Sequence, residues 1–574
     1  MSLFEKNVVG VLGGGQLGRM LIEAANRLNI KVIVLDSENA PAKKIHAHGD
    51  HIAGKFTNKE SIEELAKSCD VITVEIEHVN TYVLEGVSEK VMIEPSWRTI
   101  RTIQDKFLQK EHLRKHSIPV VPYREVRENT VEELAAIGED LGYPFMLKSK
   151  TNAYDGRGNY PVRSKDDLGP SLDFLTDRPL YGEKWAPFKI ELAVNVVQTK
   201  NGVLSFPTVE TIHEDSICKL VYAPPRGVSS SIQKRAQELA RKTVAAFEGK
   251  GVYGVEMFLL DDAAQTLLIN EIAPRPHNSG HHTIESCGMS QYDAHLRAIL
   301  DFPIPAKSLE LRQPAVMLNI LGGETRDSHL RITEAALSVP NASIHLYDKG
   351  DARPGRKMGH ITVAGPTENA AQAAITPLID LVDKLRAERS DIKTPSPAIA
   401  KPAPTVIVTM GSDSDIPVLV DGIKLLERFG IATEVNITSA HRTPDYMALY
   451  AAEAASQGVK VIIAAAGGAA HLPGMAASHT ILPVIGVPVK PSKTDGMDSL
   501  LSIVQMPRGI PVATVGIDNG INAALLAARI VGTFDPAVAE ALEEYIGGME
   551  REVMAKSEKI KKIGWEEYLK QMKK

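Results

Sequence analysis

A proline-rich break forces this chain to fold as two separate regions. Pro395, Pro397, Pro402 and Pro404 fall within the stretch Lys393-Thr394-Pro395-Ser396-Pro397-Ala398-Ile399-Ala400-Lys401-Pro402-Ala403-Pro404. Each removes a backbone donor and fixes φ, so the stretch favours extended chain and acts as a semi-rigid spacer. Strand and helix patterns alternate from Val8 onward before it. After it a fresh β-branched strand, Thr405-Val406-Ile407-Val408-Thr409-Met410, starts a second α/β pattern. The expected organisation is 1–110, 111–310 and 311–385, a linker at 386–404, a unit at 405–550 and a charged helical tail at 551–574. In that tail Ile560, Ile563, Trp565 and Tyr568 are candidate docking residues.

The 574 residues leave room for several domains. A net charge of −6 is the wrong balance for a nucleic-acid binder, which carries a basic field. Cys69, Cys218 and Cys287 lie far apart without metal-ligand spacing, as free thiols of a reducing compartment do. The amino terminus shows no basic-then-apolar leader. No apolar run approaches the roughly 18 residues of a membrane span. The expectation is a soluble, cytoplasmic protein with neither nucleic acid nor membrane as partner.

Three chemical signals stand ahead of the linker. Gly13-x-Gly15-x-x-Gly18 follows a strand, opens a helix and is succeeded by Asp36 at the end of the next strand. That spacing matches a dinucleotide fingerprint, in which backbone amides approach an anion. The strands Gly254–Leu260 and Leu267–Ile272, paired about a centre between Ala263 and Ala264, set Glu256 opposite Glu271 and Phe258 opposite Ile269. Facing like charges destabilise a sheet pair, which makes sense if Mg²⁺ sits between them. Finally, the strand Pro144–Lys148 leads into a glycine-bearing loop, Asn152–Gly158, suited to a lid over phosphates. There is no Gly-x-x-x-x-Gly-Lys-Ser/Thr P-loop.

Through Gly13–Met20, Tyr154–Gly158, Asn270–His281 and Asp351–His360, residues 1 to about 385 resemble an ATP-grasp ligase, N5-carboxyaminoimidazole ribonucleotide synthetase. The resemblance implies a Rossmann-like pre-ATP-grasp domain, an ATP-grasp domain and a small C-terminal subdomain. It implies that Lys106 and Lys148 contact ATP phosphates, that Glu183-Lys184-Trp185-Ala186 is the adenine hinge and that Glu191 holds the ribose. Tyr154, Asp155, Gly156, Gly158 and Asn270 complete the ATP site, with Arg157 catalytic and Glu256 and Glu271 on Mg²⁺. Aminoimidazole ribonucleotide would lie between the glycine loop and Lys349, Arg356 and Lys357, whose charge suits a 5′-phosphate. Gln16, Leu17, Glu75, His277 and Asn278 would neighbour it or the co-substrate bicarbonate. Asn152-Ala153 stands where many bacterial relatives have Gly-Gly.

Beyond the linker, a pair of strand-end loops should meet, since ligands collect at the carboxyl ends of parallel strands. They are Ser439-Ala440-His441-Arg442-Thr443-Pro444 and Gly467-Gly468-Ala469-Ala470-His471-Leu472-Pro473-Gly474. Gly411-Ser412-Asp413-Ser414-Asp415, between a strand and a helix, can form an anion nest. With Gly496–Gly509, these segments resemble N5-carboxyaminoimidazole ribonucleotide mutase, a flavodoxin-like three-layer αβα family. The resemblance places Ser412, Ser414, Asp415, Ser439 and Arg442 on the ribonucleotide, with Arg442 on its phosphate. Gly467, Gly468 and His471 border the carboxylate, and His441 is the general acid/base. Family members are homo-octamers, and the alanine-rich helix Asn522–Ile530 could be buried in such an assembly. Lys490–Asp495 departs from bacterial relatives.

Together the two resemblances imply a bifunctional purine-synthesis enzyme of the fungal type, with ATP, Mg²⁺ and bicarbonate as its cofactors and co-substrate. Three other readings stand beside it. One is a direct CO₂-using carboxylase with a silent first half, which intact Glu256, Glu271 and the lid oppose. Another is an NAD-dependent oxidoreductase, which the carboxylate hairpin and the lack of a hydride site oppose. The last is a non-enzymatic scaffold, which the two complete sets of polar residues oppose.

Overall fold

Unbroken apolar runs mark the first strands because helices cover both faces of their sheet. In the computed structural model, which describes residues 8–45, 50–151, 158–176, 178–323, 325–387, 404–490 and 495–572, they form a five-stranded sheet. Its order is Ile52–Ala53, Lys31–Asp36, Val8–Leu12, Val71–Val74, Met92–Ile93, all parallel. Val9, Val11, Val32 and Val34 pack with Leu17 and Leu21 of the helix Gln16–Arg27. Leu12, Ile33, Leu35 and Ile72 pack with Ile62, Leu65 and Leu84 of the helices Lys59–Lys67 and Thr81–Val87.

Two antiparallel sheets follow. The smaller runs Tyr123–Glu125, Leu180–Lys184, Phe145–Ser149, Asn159–Val162. The larger has nine strands, beginning at Leu267–Ala273 and Gly251–Leu260. The strands Ala315–Leu321, Lys357–Ala364 and Ala342–Leu346 extend this same sheet, because Ala315–Leu321 pairs along Ile217–Ala223 with Leu220 opposite Leu318. Covering that edge removes a row of unpaired backbone groups.

Two histidines inside this first unit must stay neutral. His295 is fully buried; its Nδ1 accepts the Val252 amide at 3.0 Å and its Nε2 lies 2.8 Å from the Thr73 hydroxyl. Burial holds both His295 and fully buried His282 down to about 3. In the unfolded chain each binds a proton below about pH 6.5, so the unfolded state carries more protons across the window down to about 3 and stability must fall with pH. Each histidine then costs about 1.4 kcal/mol per pH unit. Urea unfolding followed at about pH 7 and about pH 5.5 should show a lower midpoint at the acid pH. An unchanged midpoint would mean that the folded state takes up the protons as well.

The chain divides into two compact units, one of residues 1–225 and 231–399 and one of residues 226–230 and 400–574. The second unit is a five-stranded parallel sheet ordered Thr433–Ile437, Val406–Met410, Val461–Gly467, Val484–Val489, Ala513–Thr514. In chain order this is 2-1-3-4-5, the flavodoxin-like winding. Val406, Val408 and Met410 face the helices Ile416–Arg428 and Gly520–Gly532. Ile407, Ile462 and Ala464 face Pro444–Ala454 and Leu472–His479. Ala523, Ala524, Ala527 and Ala528 are fully buried in this unit's own core, so the alanine-rich face is covered by its own chain rather than kept for an assembly. A Cβ on Gly422 would stand 2.4 Å from the Gly520 carbonyl, which shows how closely those two helices approach. The helix Pro536–Ile563 runs unbroken through 550, where a separate tail was expected to begin; a shorter helix Trp565–Met572 follows Gly564 at φ 79°. Ile560 and Trp565 are exposed there, Ile563 and Tyr568 half-buried.

Candidate active sites

Glu256 does lie opposite Glu271 in the antiparallel pair of Gly251–Leu260 and Leu267–Ala273. Beyond it the register slips: Met257 pairs with Ile269 and Phe258 with Leu268, not with Ile269 as simple alternation required. Asn270 is the extra residue of a β-bulge, so Asn270 and Glu271 both turn half-buried side chains outward while Ile269 is fully buried. The bulge comes from outside the hairpin, for Ile269 N donates to the Pro119 carbonyl at 2.9 Å. Burial pushes the Glu256 carboxyl up to about 7; His213 works against this, and Glu271 and Glu191 reinforce it. Glu191 Oε2 is 2.5 Å from His213 Nδ1; burial lowers that imidazole, but the carboxylate outweighs it and the ring is raised. His277 Nε2 lies 3.6 Å from Glu256 Oε1, and burial, Arg275 and Lys357 hold His277 down to about 3. Asn278 is buried in the turn just after it.

A set of buried charges faces this hairpin. Lys106 Nζ pairs with Glu271. Lys148, on Phe145–Ser149, is 2.7 Å from Glu183 Oε1, and Lys110 is 2.6 Å from Glu183 Oε2. Burial raises the Glu183 carboxyl, but the two lysines outweigh it and hold the group below its ordinary range. Within Glu183-Lys184-Trp185-Ala186 the Glu183 side chain is therefore turned inward; Lys184 and Trp185 are exposed and Ala186 half-buried, its carbonyl taking the Phe188 amide. Tyr154, Asp155, Gly156 and Arg157 lie outside the described residues; Gly158 has φ +98° and its carbonyl accepts the Ser149 amide.

The glycine loop holds an anion, but that anion belongs to the chain. Glu75 accepts the Gly15 amide at 2.5 Å and the Leu17 amide at 3.1 Å, and Asp36 accepts the Gly14 amide at 2.7 Å. A Cβ on Gly15 would stand 2.5 Å from Glu75 Oε1, so the glycine makes room for a carboxylate from the same fold. This corrects the expectation of a ligand anion on these amides. Gln16 is the half-buried first residue of the helix. Buried Glu77 forms a two-point pair with Arg275 at 2.6 and 3.2 Å, and Arg275 also feels the charge of Glu75. Of the cationic trio, Lys349 stands 5.5 Å over the Tyr347 ring and Arg356 donates to the Asp351 carbonyl. Lys357 opens its strand opposite Leu321, after a bulge that breaks alternation with Gly359. Its charge is felt at His213 and His277.

In the second unit the loops meet at the carboxyl ends of the central strands. His441 Nε2 is 2.8 Å from His471 Nδ1. Arg442 donates to the Gly411 carbonyl at 2.6 Å and to Ser439 Oγ at 3.2 Å, tying the His441 loop to the Gly411–Asp415 turn. Ser412 Oγ caps that turn at the Ser414 amide, and burial pushes the Asp415 carboxyl up. Gly468, at φ +67°, donates its amide to Ser499 Oγ, which itself donates to the Val489 carbonyl at 2.7 Å. Gly467 is exposed at the end of Val461–Gly467. Pro491 to Thr494 of the divergent loop lie outside the described residues.

Lys110, His213, Arg275 with Glu77, and Ser499 belong to these clusters, although sequence reasoning gave none of them a role. Lys110 had a visible signal, lying one helical turn after Lys106. The others are joined to their partners by pairings no local pattern announces.

Four family models match the chain: "Ribonucleotide synthetase preATP-grasp domain" over 6–104, "ATP-grasp domain" over 111–292, "Phosphoribosylaminoimidazole carboxylase C-terminal domain" over 315–374 and "AIR carboxylase" over 405–552. The phosphoribosylaminoimidazole carboxylase of Candida albicans is 52% identical, covering 98% of this chain and 99% of that one; the Schizosaccharomyces pombe enzyme of the same name is 50% identical with the same coverage. Among solved structures, carboxyaminoimidazole ribonucleotide synthase from Aspergillus clavatus, complexed with ATP, is 65% identical over 67% of this chain and all of that one, with a TM-score of 0.65. With both units matched by families and the full length matched by relatives, the chain belongs to the fungal phosphoribosylaminoimidazole carboxylase family.

Proposed function

We propose that this enzyme makes 4-carboxy-5-aminoimidazole ribonucleotide in two consecutive steps of purine biosynthesis, the first unit forming the N5-carbamate and the second moving its carboxyl group to C4. The observation that carries this is the presence, on one chain matched end to end by phosphoribosylaminoimidazole carboxylases, of both the carboxylate–lysine cleft and the paired histidines. A related Aspergillus clavatus synthase has been solved with ADP and 5-aminoimidazole ribonucleotide, which supports these as the ligands of the first unit.

In the first step bicarbonate oxygen attacks the γ-phosphorus of ATP, the bond to ADP breaks, and carboxyphosphate forms. The N5 amine then attacks the carboxyl carbon; phosphate departs and the amine loses a proton. Lys106 and Lys148 offset phosphate charge, the Glu183–Ala186 segment holds adenine and Glu191 the ribose. The acyl phosphate must be kept from water, and Arg157 takes the catalytic role that the resemblance gives it. Glu75, His277 and Lys357 line the substrate side. Glu256 and Glu271, opposed and with Glu256 pushed up to about 7, fit a divalent cation. Among the described residues no three His, Cys, Asp or Glu cluster as a cage, so the remaining ligands would be phosphate oxygens. Mg²⁺, when bound there, supplies charge neutralisation on the phosphates.

In the second step the C–N bond of the carbamate breaks, the amine regains a proton, and C4 attacks the released CO₂ and gives up its own proton. His441, in contact with His471, carries that proton. Arg442, Ser439 and the Ser412–Asp415 turn hold the ribonucleotide. A cytoplasmic homo-octamer built through the second unit belongs to the same reading. No helix among the described residues is long and apolar enough to cross a membrane.

Product formation at low bicarbonate, with and without MgATP and with ADP counted, tests the whole. One ADP per 4-carboxylate is expected. Carboxylation that ignores ATP and needs high CO₂ would instead mean that the second unit works alone.

A further inference from the structure

A lysine outside both sets of motif residues sits among the most enclosed charges of the first unit. Lys110 has 2% of its side chain exposed, and it is paired with a carboxylate that is only 4% exposed. Glu183 spends one oxygen on Lys110 and the other on Lys148. The two lysines are not equivalent. Lys148 is 16% exposed and stands on a strand. Lys110 is held from several sides. Its helix, Lys106–Lys115, is capped by Asp105 Oδ1, which accepts the Phe107 and Leu108 amides at 2.9 Å. The neighbouring Gln109 amide group brackets the backbone of Ile272, receiving its N–H at 3.3 Å and donating to its carbonyl at 3.2 Å. Lys110 Nζ also lies 6.0 Å over the Tyr123 ring.

We propose that Lys110 is a positioning residue for ATP: a fixed counter-charge that keeps Glu183 compensated, so that Lys148 can leave it for a phosphate. This rests on the reading of the first unit as an ATP site. A buried carboxylate with a single cationic partner holds that partner tightly, because separating them leaves an unpaired charge in a poorly solvated place. With a second, immobile lysine on its other oxygen, Glu183 stays paired whichever way Lys148 turns. Lys148 is thereby stored in an ion pair without nucleotide and released when phosphate offers a better one. In the sequence the two lysines look alike; the burial difference divides their labour.

The test uses the full-length enzyme and its ATP-dependent ADP release with aminoimidazole ribonucleotide and bicarbonate. Lys110→Met should raise KM for ATP about tenfold or more, with a smaller change in kcat, because Glu183 now retains Lys148. Lys110→Arg keeps the charge and should stay within about threefold of the parent. The decisive comparison is K110M/E183Q against E183Q alone, since the carboxylate that traps Lys148 is gone from both. There the loss of Lys110 should no longer raise KM, a coupling that a role in packing alone does not produce. An unchanged KM in K110M, or a double variant as impaired as the sum of its parts, overturns the proposal. Should K110M fail to fold, the neutral pair K110M/E183Q still decides: KM within about threefold of E183Q supports it, and a rise of about tenfold above E183Q overturns it. If the parent itself releases no ATP-dependent ADP, the reading of the site falls and the proposal with it; if only the KM pattern fails, the proposal alone falls.

Discussion

His441→Asn is expected to abolish carboxyl transfer from the N5-carbamate while ADP release by the same preparation continues. Asn keeps a polar amide but is too short to reach the position of Nε2, 2.8 Å from His471 Nδ1, and it cannot carry a proton between the amine and C4. Loss of a positioned acid/base group costs roughly 100- to 10,000-fold, and the effect here should fall in that range. The flanking contacts of Arg442 with Gly411 and Ser439 do not depend on the imidazole, so ribonucleotide binding should survive. The measurement is conversion of supplied N5-carboxyaminoimidazole ribonucleotide without ATP. A variant retaining more than about a tenth of the parental rate would place the acid/base elsewhere.

Glu271→Gln should do the reverse, cutting ATP-dependent ADP release on the order of 100-fold or more while leaving carboxyl transfer at its parental rate. Gln keeps the shape but removes the charge that faces Glu256 across the bulge and pairs with Lys106. Stability and activity should separate in this variant. Losing the Lys106 pair leaves a lysine side chain only 11% exposed without that partner, although the glutamate is 43% exposed, and the lost repulsion with Glu256 acts in the opposite direction. The nucleotide-free melting temperature should therefore barely move, whereas the stabilisation by MgATP should shrink. A variant that unfolds early without nucleotide would show that Glu271 is a structural residue.

These sites differ in how much of them local pattern could reveal. Glu256 facing Glu271 follows from two strands around a short turn, since side-chain period and turn position set which residues oppose. The slip beyond them does not, because it is imposed by Ile269 bonding to Pro119, far outside the hairpin. Likewise Gly13, Gly15 and Gly18 announce amides open to an anion, yet the anion is Glu75, sixty residues on. His441 and His471 come together because parallel strands 2-1-3 put their carboxyl ends side by side.

Periodicity of two or 3.6, proline breaks and motif spacing are short-range properties, and they were enough for the two α/β regions, the opposed Glu256 and Glu271 and the two histidine loops, whereas the flavodoxin-like fold and most ligand roles came from the family resemblance. Which glycines face which acid, which lysine is enclosed and which is more exposed, and where a strand slips by one residue depend on contacts between segments that lie far apart in the chain. Those contacts are chosen by packing and by the need to pair every buried charge, conditions that exist only once the sheets and helices have closed on one another.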